Sequence, residues 1–307
     1  MAINSKSSEI FDLLLKQPGI DVNTKLLHKE ICDSPFGDNT CFSEEINPLV
    51  IAIKSMNSEI IEKLIKISEI DLNVKLQCYV IHKYIHDYKK FYGFGKRKYK
   101  QYENTALINA ARINNDDNNI LLSILSSEKV DFNLAVMMSK VIKSDSMVYS
   151  KKLENSVLDI LINPKKYSRN ADCACRYIGF VLNKKDFNVN IKHMNLIDGK
   201  NIRNNKMKSE HIESNFLHKA VHYGNLQVIK ILLSKPDIDV NVLEIIKHGN
   251  KVNEMTALHI AVNESKFEIV KLLIDNPHID IKIKNSNGEL AVDLAKDETI
   301  KQLLSQK

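Results

Sequence analysis

Several groupings in this 307-residue chain have residue types and spacing that bear on chemistry. Cys78, His82 and His86 stand four apart each time. On a helix that spacing would put three metal-ligating side chains on one face. A structural zinc site takes four ligands, with closely spaced cysteine pairs. No fourth ligand is evident here, and a strand at this segment would scatter the three. Gly93-Phe94-Gly95-Lys96 is too short for either glycine-rich phosphate motif, and no Gly-x-Ser-x-Gly elbow is present. Cys78 or Cys175 as a nucleophile would need a base at hand, and nothing in the sequence brings a histidine to either. The adjacent acids Glu44-Glu45 and Asp116-Asp117 fall in loop-like segments, where Asp and Asn serve as turn residues. The expectation is therefore no catalysis, no metal, no cofactor and no small-molecule substrate.

Composition narrows the class further. Hydrophobic residues make up 44% of the chain, enough for a sizeable core. The net charge is +6, from 44 basic and 38 acidic residues, too mild an excess to imply a nucleic-acid partner by itself. The only arginines are Arg97, Arg112, Arg169, Arg176 and Arg203. Lysine solvates surfaces, whereas arginine is favoured for forked contacts to phosphate. Five scattered cysteines without a Cys-x-x-Cys pair fit a reducing compartment. The first residues, MAINSKSSEIFDLLLKQPG, read neither as a secretory leader nor as an anchor. No apolar run approaches the ~20 residues that span a bilayer. The expected compartment is the cytoplasm, with the nucleus as the alternative.

The elements that carry these residues repeat. Residues 47–73, 215–241 and 256–282 align without a gap, and the distance from Ala52, Ala220 and Ala261 to Asp71, Asp239 and Asp280 is constant. Each block opens on a helix-capping Asn or Thr. A short helix follows, with Leu and Ala three apart, such as Leu258 and Ala261. A second helix then carries apolar residues at helical spacing, such as Ile269, Leu272 and Leu273. Thr256-Ala257-Leu258-His259-Ile260-Ala261 and Asn215-Phe216-Leu217-His218-Lys219-Ala220 resemble the Thr-Pro-Leu-His-x-Ala motif of ankyrin repeats, with a more distant copy at Thr105-Ala106-Leu107-Ile108-Asn109-Ala110.

That resemblance implies an all-α solenoid of five to six helix-turn-helix units forming a single domain over 1–307. The units are a half repeat at 8–23, repeats at 47–73, 104–133, 215–241 and 256–282, a degenerate copy at 155–190, and a shortened closing repeat at 285–304. It implies that His218 and His259 brace turns. Two departures stand out. The chain has nine glycines, so Asn, Ser and Pro are expected to make the turns. The motif alanines fall at 52, 110, 220 and 261, not every ~33 residues. The extra residues, 24–46, 74–103, 134–154, 191–214 and 242–254, are expected to be hairpin fingers projecting from one side.

The family's function is non-catalytic binding, so the resemblance implies a protein-binding scaffold or adaptor. The finger at 79–102 is the expected contact. It carries Tyr84, Tyr88, Lys89, Lys90, Phe91, Tyr92, Lys96, Arg97, Lys98 and Tyr99, with Asp87 as its single acid. Tyr and Arg anchor many interfaces. Three readings of the finger stay open: a protein contact, stacking on single-stranded nucleic acid, and plain packing of the aromatics against neighbouring fingers. The resemblance also places the two residues after each Ala-x on a concave face: Lys54 and Ser55, Arg112 and Ile113, His222 and Tyr223, Asn263 and Glu264. At the start of the stack, Ile10, Leu13 and Leu14 have less cover than their counterparts in intact repeats. The half repeat is therefore expected to be the least stable end, or to be covered by another chain; slow hydrogen exchange across residues 8–16 in a dilute monomer would refute this.

Overall fold

Several short helices in this chain start where an Asn or Thr side chain takes up a free backbone N–H. Asn47 accepts from Val50 at 2.9 Å, Asn57 from Ile60 at 3.1 Å, Asn215 from His218 at 3.0 Å and Asn225 from Val228 at 3.2 Å. The computed structural model describes residues 8–33, 39–83, 97–113, 120–143, 147–163, 171–201 and 207–307. Contacts divide it into two compact units, Met1–Val157 with Gly199–Met207, and Leu158–Asp198 with Lys208–Lys307.

The first unit holds α1 (Ser8–Leu15) and the helix pairs α2 (Pro48–Lys54) with α3 (Ser58–Lys66) and α4 (Ala106–Ile113) with α5 (Ile120–Leu125). Helix α2 packs on α4, and α3 packs on both α1 and α5. Leu49, Ala52, Ile53, Ile60, Ile61 and Leu64 are wholly buried there, whereas Leu13 and Leu14 of α1 are 61% and 43% exposed. The second unit holds α6 (Val157–Ile162, from its second residue), α7 (Ala171–Leu182), α8 (Phe216–Tyr223), α9 (Leu226–Leu233), α10 (Ala257–Asn263) and α11 (Phe267–Ile274). It closes with a 3₁₀ turn (Ala291–Leu294) and α12 (Glu298–Ser305). Phe216, Ala220, Val221, Val228, Ile229 and Leu232 form its centre.

The segments between helix pairs overturn the all-α class. In the first unit they are β1 (Leu26–Asp33), β2 (Asn39–Ile46), β3 (Leu76–Lys83), β4 (Arg97–Asn104), β5 (Val136–Lys143) and β6 (Met147–Asn155). In the second they are β7 (His193–Asn201, up to Asp198), β8 (Met207–Ser214, from its second residue), β9 (Leu243–His248) and β10 (Lys251–Thr256). They are not separate fingers. Within each unit the strands pair antiparallel in chain order, from one hairpin to the next as well as inside each hairpin. Thus β2 pairs β3 from Asn39↔Lys83 to Glu44↔Cys78, β4 pairs β5 from Arg97↔Lys143 to Tyr102↔Met138, and β8 pairs β9 from Glu210↔His248 to Glu213↔Ile245. The reason is dimensional. Adjacent strands lie about 4.8 Å apart, so a two-stranded hairpin is about as wide as the 8–10 Å between packed helices. Hairpins whose strands run six to nine residues on successive helix pairs therefore meet at pairing distance, and their outer N–H and C=O groups bond to each other.

The turn joining the two helices of a pair has the same geometry three times. Asn57 N donates to Ala52 O at 3.0 Å, Asn225 N to Ala220 O at 3.1 Å and Lys266 N to Ala261 O at 2.9 Å. The residue before each donor is left-handed: Met56 at φ 56°, Gly224 at 70° and Ser265 at 55°. Such a helix exit favours glycine. A Met and a Ser hold the conformation in two of the three, at about 1–2 kcal/mol each.

A second recurring device joins neighbouring repeats. The Asp of each Asp-x-Asn exit accepts from the backbone N–H two residues on, as Asp71 does from Asn73 at 2.8 Å and Asp239 from Asn241 at 2.9 Å. The Asn then reaches the next repeat with both ends of its amide. Asn23 donates to Glu69 O and accepts from Asp71 N, at 2.7 and 2.8 Å. Asn73 does the same with Lys129 O and Asp131 N, both 2.8 Å. Asn190 bridges Asp237 O and Asp239 N, and Asn241 bridges His278 O and Asp280 N, all between 2.7 and 2.9 Å. Replacing Asn73 or Asn241 by Ala should lower stability by about 1 kcal/mol each. Lys282 stands in the Asn place of the last copy, and its replacement by Ala should stay within about 0.5 kcal/mol. Urea denaturation midpoints of the three variants check this.

Candidate protein-binding surface

The helix-end positions fall where the first helix of each pair stops. Lys54 ends α2, and its ammonium is paired with Glu44 of β2. Glu44 is buried, so this lysine is anchored to its own hairpin. Arg112 and Ile113 end α4; their side chains lie outside the described residues. His222 and Tyr223 end α8, Asn263 ends α10, and Glu264 caps it. Two of these expected contact residues, His222 and Glu264, are bound to each other.

His222 Nδ1 lies 3.0 Å from Glu264 Oε1, and its Nε2 lies 2.9 Å from Glu244 Oε2 on β9. Glu244 is 3% exposed. Lys266, at the start of α11, is paired with the other oxygen of Glu264 and donates to Val221 O at 2.6 Å and His222 O at 2.9 Å. A cation thus covers carbonyls at the C-terminus of α8. A carboxylate at each ring nitrogen favours the protonated form of His222. The Glu244 hydrogen bond is the main cause of its raised pKa, and it outweighs the partial burial. Burial alone would raise Glu264, but hydrogen bonds from Lys266 and His222 hold its carboxyl below the usual range. Beside this network Tyr223 is 42% exposed and Asn263 is exposed.

The motif histidines are interior fittings. His218 Nδ1 accepts from Asn215 N at 3.2 Å, and its Nε2 lies 2.9 Å from Val242 O. His259 makes the same pair of contacts with Thr256 N at 3.4 Å and Glu289 O at 3.2 Å. Burial pushes the pKa of His218 down to about 4 and lowers that of His259 as well. Both are therefore neutral braces between a helix start and the strand or loop beyond it.

The degenerate copy holds a cluster that the sequence reading missed. Ser156-Val157-Leu158-Asp159-Ile160-Leu161 aligns with the motif, so Asp159 occupies the place of His218 and His259. Its carboxylate lies 2.7 Å from His193 Nδ1 on β7 and 2.5 Å from Lys219 Nζ on α8. Burial alone would raise its pKa, but the Lys219 charge and the His193 hydrogen bond hold it at about 2. The His193 ring lies edge-on to Phe216 at 5.4 Å, and its Nε2 is buried without a hydrogen-bond partner. The signal that was available is an acid in a place where the motif buries a neutral ring.

The finger is only partly visible. Tyr84, Tyr88, Lys89, Lys90, Phe91, Tyr92 and Lys96 lie outside the described residues, while Arg97, Lys98 and Tyr99 open β4, whose backbone pairs with β3 and β5. Cys78 and His82 both lie on β3, four residues or about 13 Å apart along the strand; His86 is outside the described residues. Among the described residues no group of three or more His, Cys, Asp or Glu could hold a metal ion, and no helix is long and apolar enough to cross a membrane.

A family model described as ankyrin repeats, in three copies, matches this sequence over residues 185–285 and 217–307. The chain contains ankyrin repeats. The matched residues hold the His218 and His259 braces, the Asn190 and Asn241 bridges and the His222 network; residues 1–184 lie outside the match. A comparison with curated proteins finds no match. A solved structure titled as that of EF0377, an ankyrin repeat protein, is similar at 17% identity, covering 84% of this chain and 96% of that one, with a TM-score of 0.47. Ankyrin repeats are in general protein–protein interaction modules and non-catalytic.

The His222 network makes a signed prediction. A histidine with a raised folded pKa contributes stability that is fully present below its unfolded value near 6.5 and is lost as pH rises through the folded value. From pH 6 to pH 8 the chain should lose more stability than His222→Gln does. His218 and His259 are common to both proteins and cancel in the difference. Urea midpoints of the two proteins at both pH values check this, and parallel curves would contradict it.

Proposed function

We propose that this chain is a non-catalytic scaffold or adaptor that holds a protein partner. The binding surface is made by the 79–102 finger and the helix ends: Lys54, Arg112, Ile113, His222, Tyr223, Asn263 and Glu264. The observation that carries the reading is Tyr223. It is an exposed aromatic side chain at the end of α8, beside a network of Glu244, His222, Glu264 and Lys266 that fixes the neighbouring helix ends. Tyrosines of this kind, held rigid before the partner arrives, are frequent anchors in interfaces. His222, Glu264 and Lys54 spend their charge inside the chain. Their part is to shape the surface, and the direct contact falls to Tyr223, Asn263 and the finger.

The test separates finger from helix ends without unpairing the sheet. Residues 84–96 are replaced by an Asn-Gly turn, which leaves β3 and β4 in place, and Tyr223→Ala is made separately. Partners captured from the native cell by the intact chain are then measured against each variant by titration. The expected result is a loss of about 30-fold or more in affinity for at least one variant, the size of an anchor residue. Unchanged affinity in both removes the proposal. Capture of nucleic acid, with binding that falls steeply with salt, points instead to a phosphate-binding finger.

A further inference from the structure

The first repeat of the first unit has an apolar side that its neighbours cover. Residues 10–26 align without a gap with 60–76 and with 120–136, so side chains in the same place can be compared. Leu14, Ile20 and Leu26 are 43%, 49% and 53% exposed. Their counterparts Leu64, Ile70 and Leu76, and Ile124, Val130 and Val136, are all 7% exposed or less. The later repeats each have one segment more. In the second repeat β2 pairs with β3 and runs into α2, which packs on α3. In the third, β4 pairs with β5 and runs into α4, which packs on α5. Among the described residues no strand pairs with the outer side of β1, and α1 packs on α3. The strand–helix segment of the second repeat takes sixteen residues, Asn39–Lys54; residues 1–7 are fewer than half that number. A stack needs a polar outer face at its end, and this end is apolar.

The segments of the later repeats state the chemistry of what fits there. Glu45 stands two residues before the capping Asn47, and Glu103 two before Thr105. Glu154-Asn155-Ser156, Glu213-Ser214-Asn215 and Glu254-Met255-Thr256 repeat the spacing. The glutamate reaches the backbone of the next strand: Glu45 accepts from Gln77 N at 2.9 Å and Glu103 from Met137 N at 3.1 Å. Leu27 holds the place of Gln77 and Met137 on β1. Backbone groups alternate in direction along a strand, so Leu27 and Lys29 turn their N–H groups to the open side of β1. We propose that a partner protein completes this repeat in trans. An extended segment of the partner adds antiparallel to β1 and runs on into a short helix over α1. Its pattern is Glu-x-Asn, Glu-x-Ser or Glu-x-Thr at the join, with the glutamate on the Leu27 N–H and an apolar helix face on Leu14, Ile20 and Leu26. The backbone edge selects a strand, and the buried counterparts select the helix behind it. This adds a second contact surface to the scaffold reading above and shares no residue with it.

The experiment uses the full chain and a fluorescent peptide copied from its own strand–helix segment, residues 39–55 with Cys41→Ser. A twin peptide carries Glu45→Lys as well. The first peptide should bind in anisotropy titrations, and the twin about tenfold more weakly. Hydrogen exchange at Leu27 and Lys29, fast in the free chain, should slow when the peptide is bound. The double variant Leu14→Glu with Leu26→Glu should weaken binding by about tenfold or more, since it buries unpaired charge under the peptide. Val252→Glu, on an exposed residue of β10, should leave binding unchanged. If the double variant does not fold, Leu27→Pro, which removes an outward N–H of an edge strand, should weaken binding severalfold. No binding, equal binding of the two peptides, or no effect of either β1 variant overturns the proposal. Slow exchange at Leu27 and Lys29 in the dilute chain alone overturns it in favour of cover by the chain itself. Protection that rises with chain concentration overturns it in favour of a second copy. None of these variants touches Tyr223 or residues 84–96, so failure here and failure of the scaffold reading are read separately.

Discussion

The match between the width of a β-hairpin and the spacing of packed helices governs this structure. Two strands at about 4.8 Å each span nearly the same distance as one helix-to-helix step. Each helix pair brings its hairpin within reach of the next, so one translation satisfies both the apolar faces of the helices and the outer backbone groups of the strands. Strand order equals chain order within each unit for that reason. The hairpins could be long only because their neighbours were equally long. A lone eight-residue finger would leave its outer N–H and C=O groups to water, whereas here β2 meets β3 and β4 meets β5 along most of their length.

What the sequence made legible followed from local chemistry. Capping Asn and Thr residues, helical spacing of Leu, Ile and Val, and the small Ala at 52, 220 and 261 mark the helices, and all three alanines are wholly buried. The intervals between repeats were legible as hairpins. Their union into sheets was not, because no residue type on β2 or β3 encodes its neighbour; the pairing comes from a spacing that only stacked repeats possess. The Asp of the exit was visible as a constant interval, while the Asn two residues on looked like an ordinary turn residue. Its amide is used in the next repeat, at Glu69 and Asp71 for Asn23.

The electrostatics divide into an interior and an exterior part. Asp159 with His193 and Lys219 is a buried charge cluster in the copy where the motif is most eroded, and one carboxylate there binds elements that a neutral histidine would brace by hydrogen bonds to backbone. At the α8 and α10 ends, Glu244, His222, Glu264 and Lys266 close on each other, so residues that read as free contacts from the sequence serve as supports. Tyr223 was legible as a surface aromatic but its setting was not, since Glu244 lies 21 residues on, in a different hairpin.

The sheet of the first unit also has a mechanical meaning. Antiparallel hydrogen bonds run perpendicular to their strands, hence along the direction in which repeats succeed one another. A force that draws the repeats apart loads these bonds end to end and parts them one strand pair at a time. A force along the hairpins shears a whole ladder of six to eight residue pairs at once. The unit is therefore soft to extension along its repeats and stiff to a pull on a hairpin tip, so a tug on the tips is passed to the helix pairs with little give.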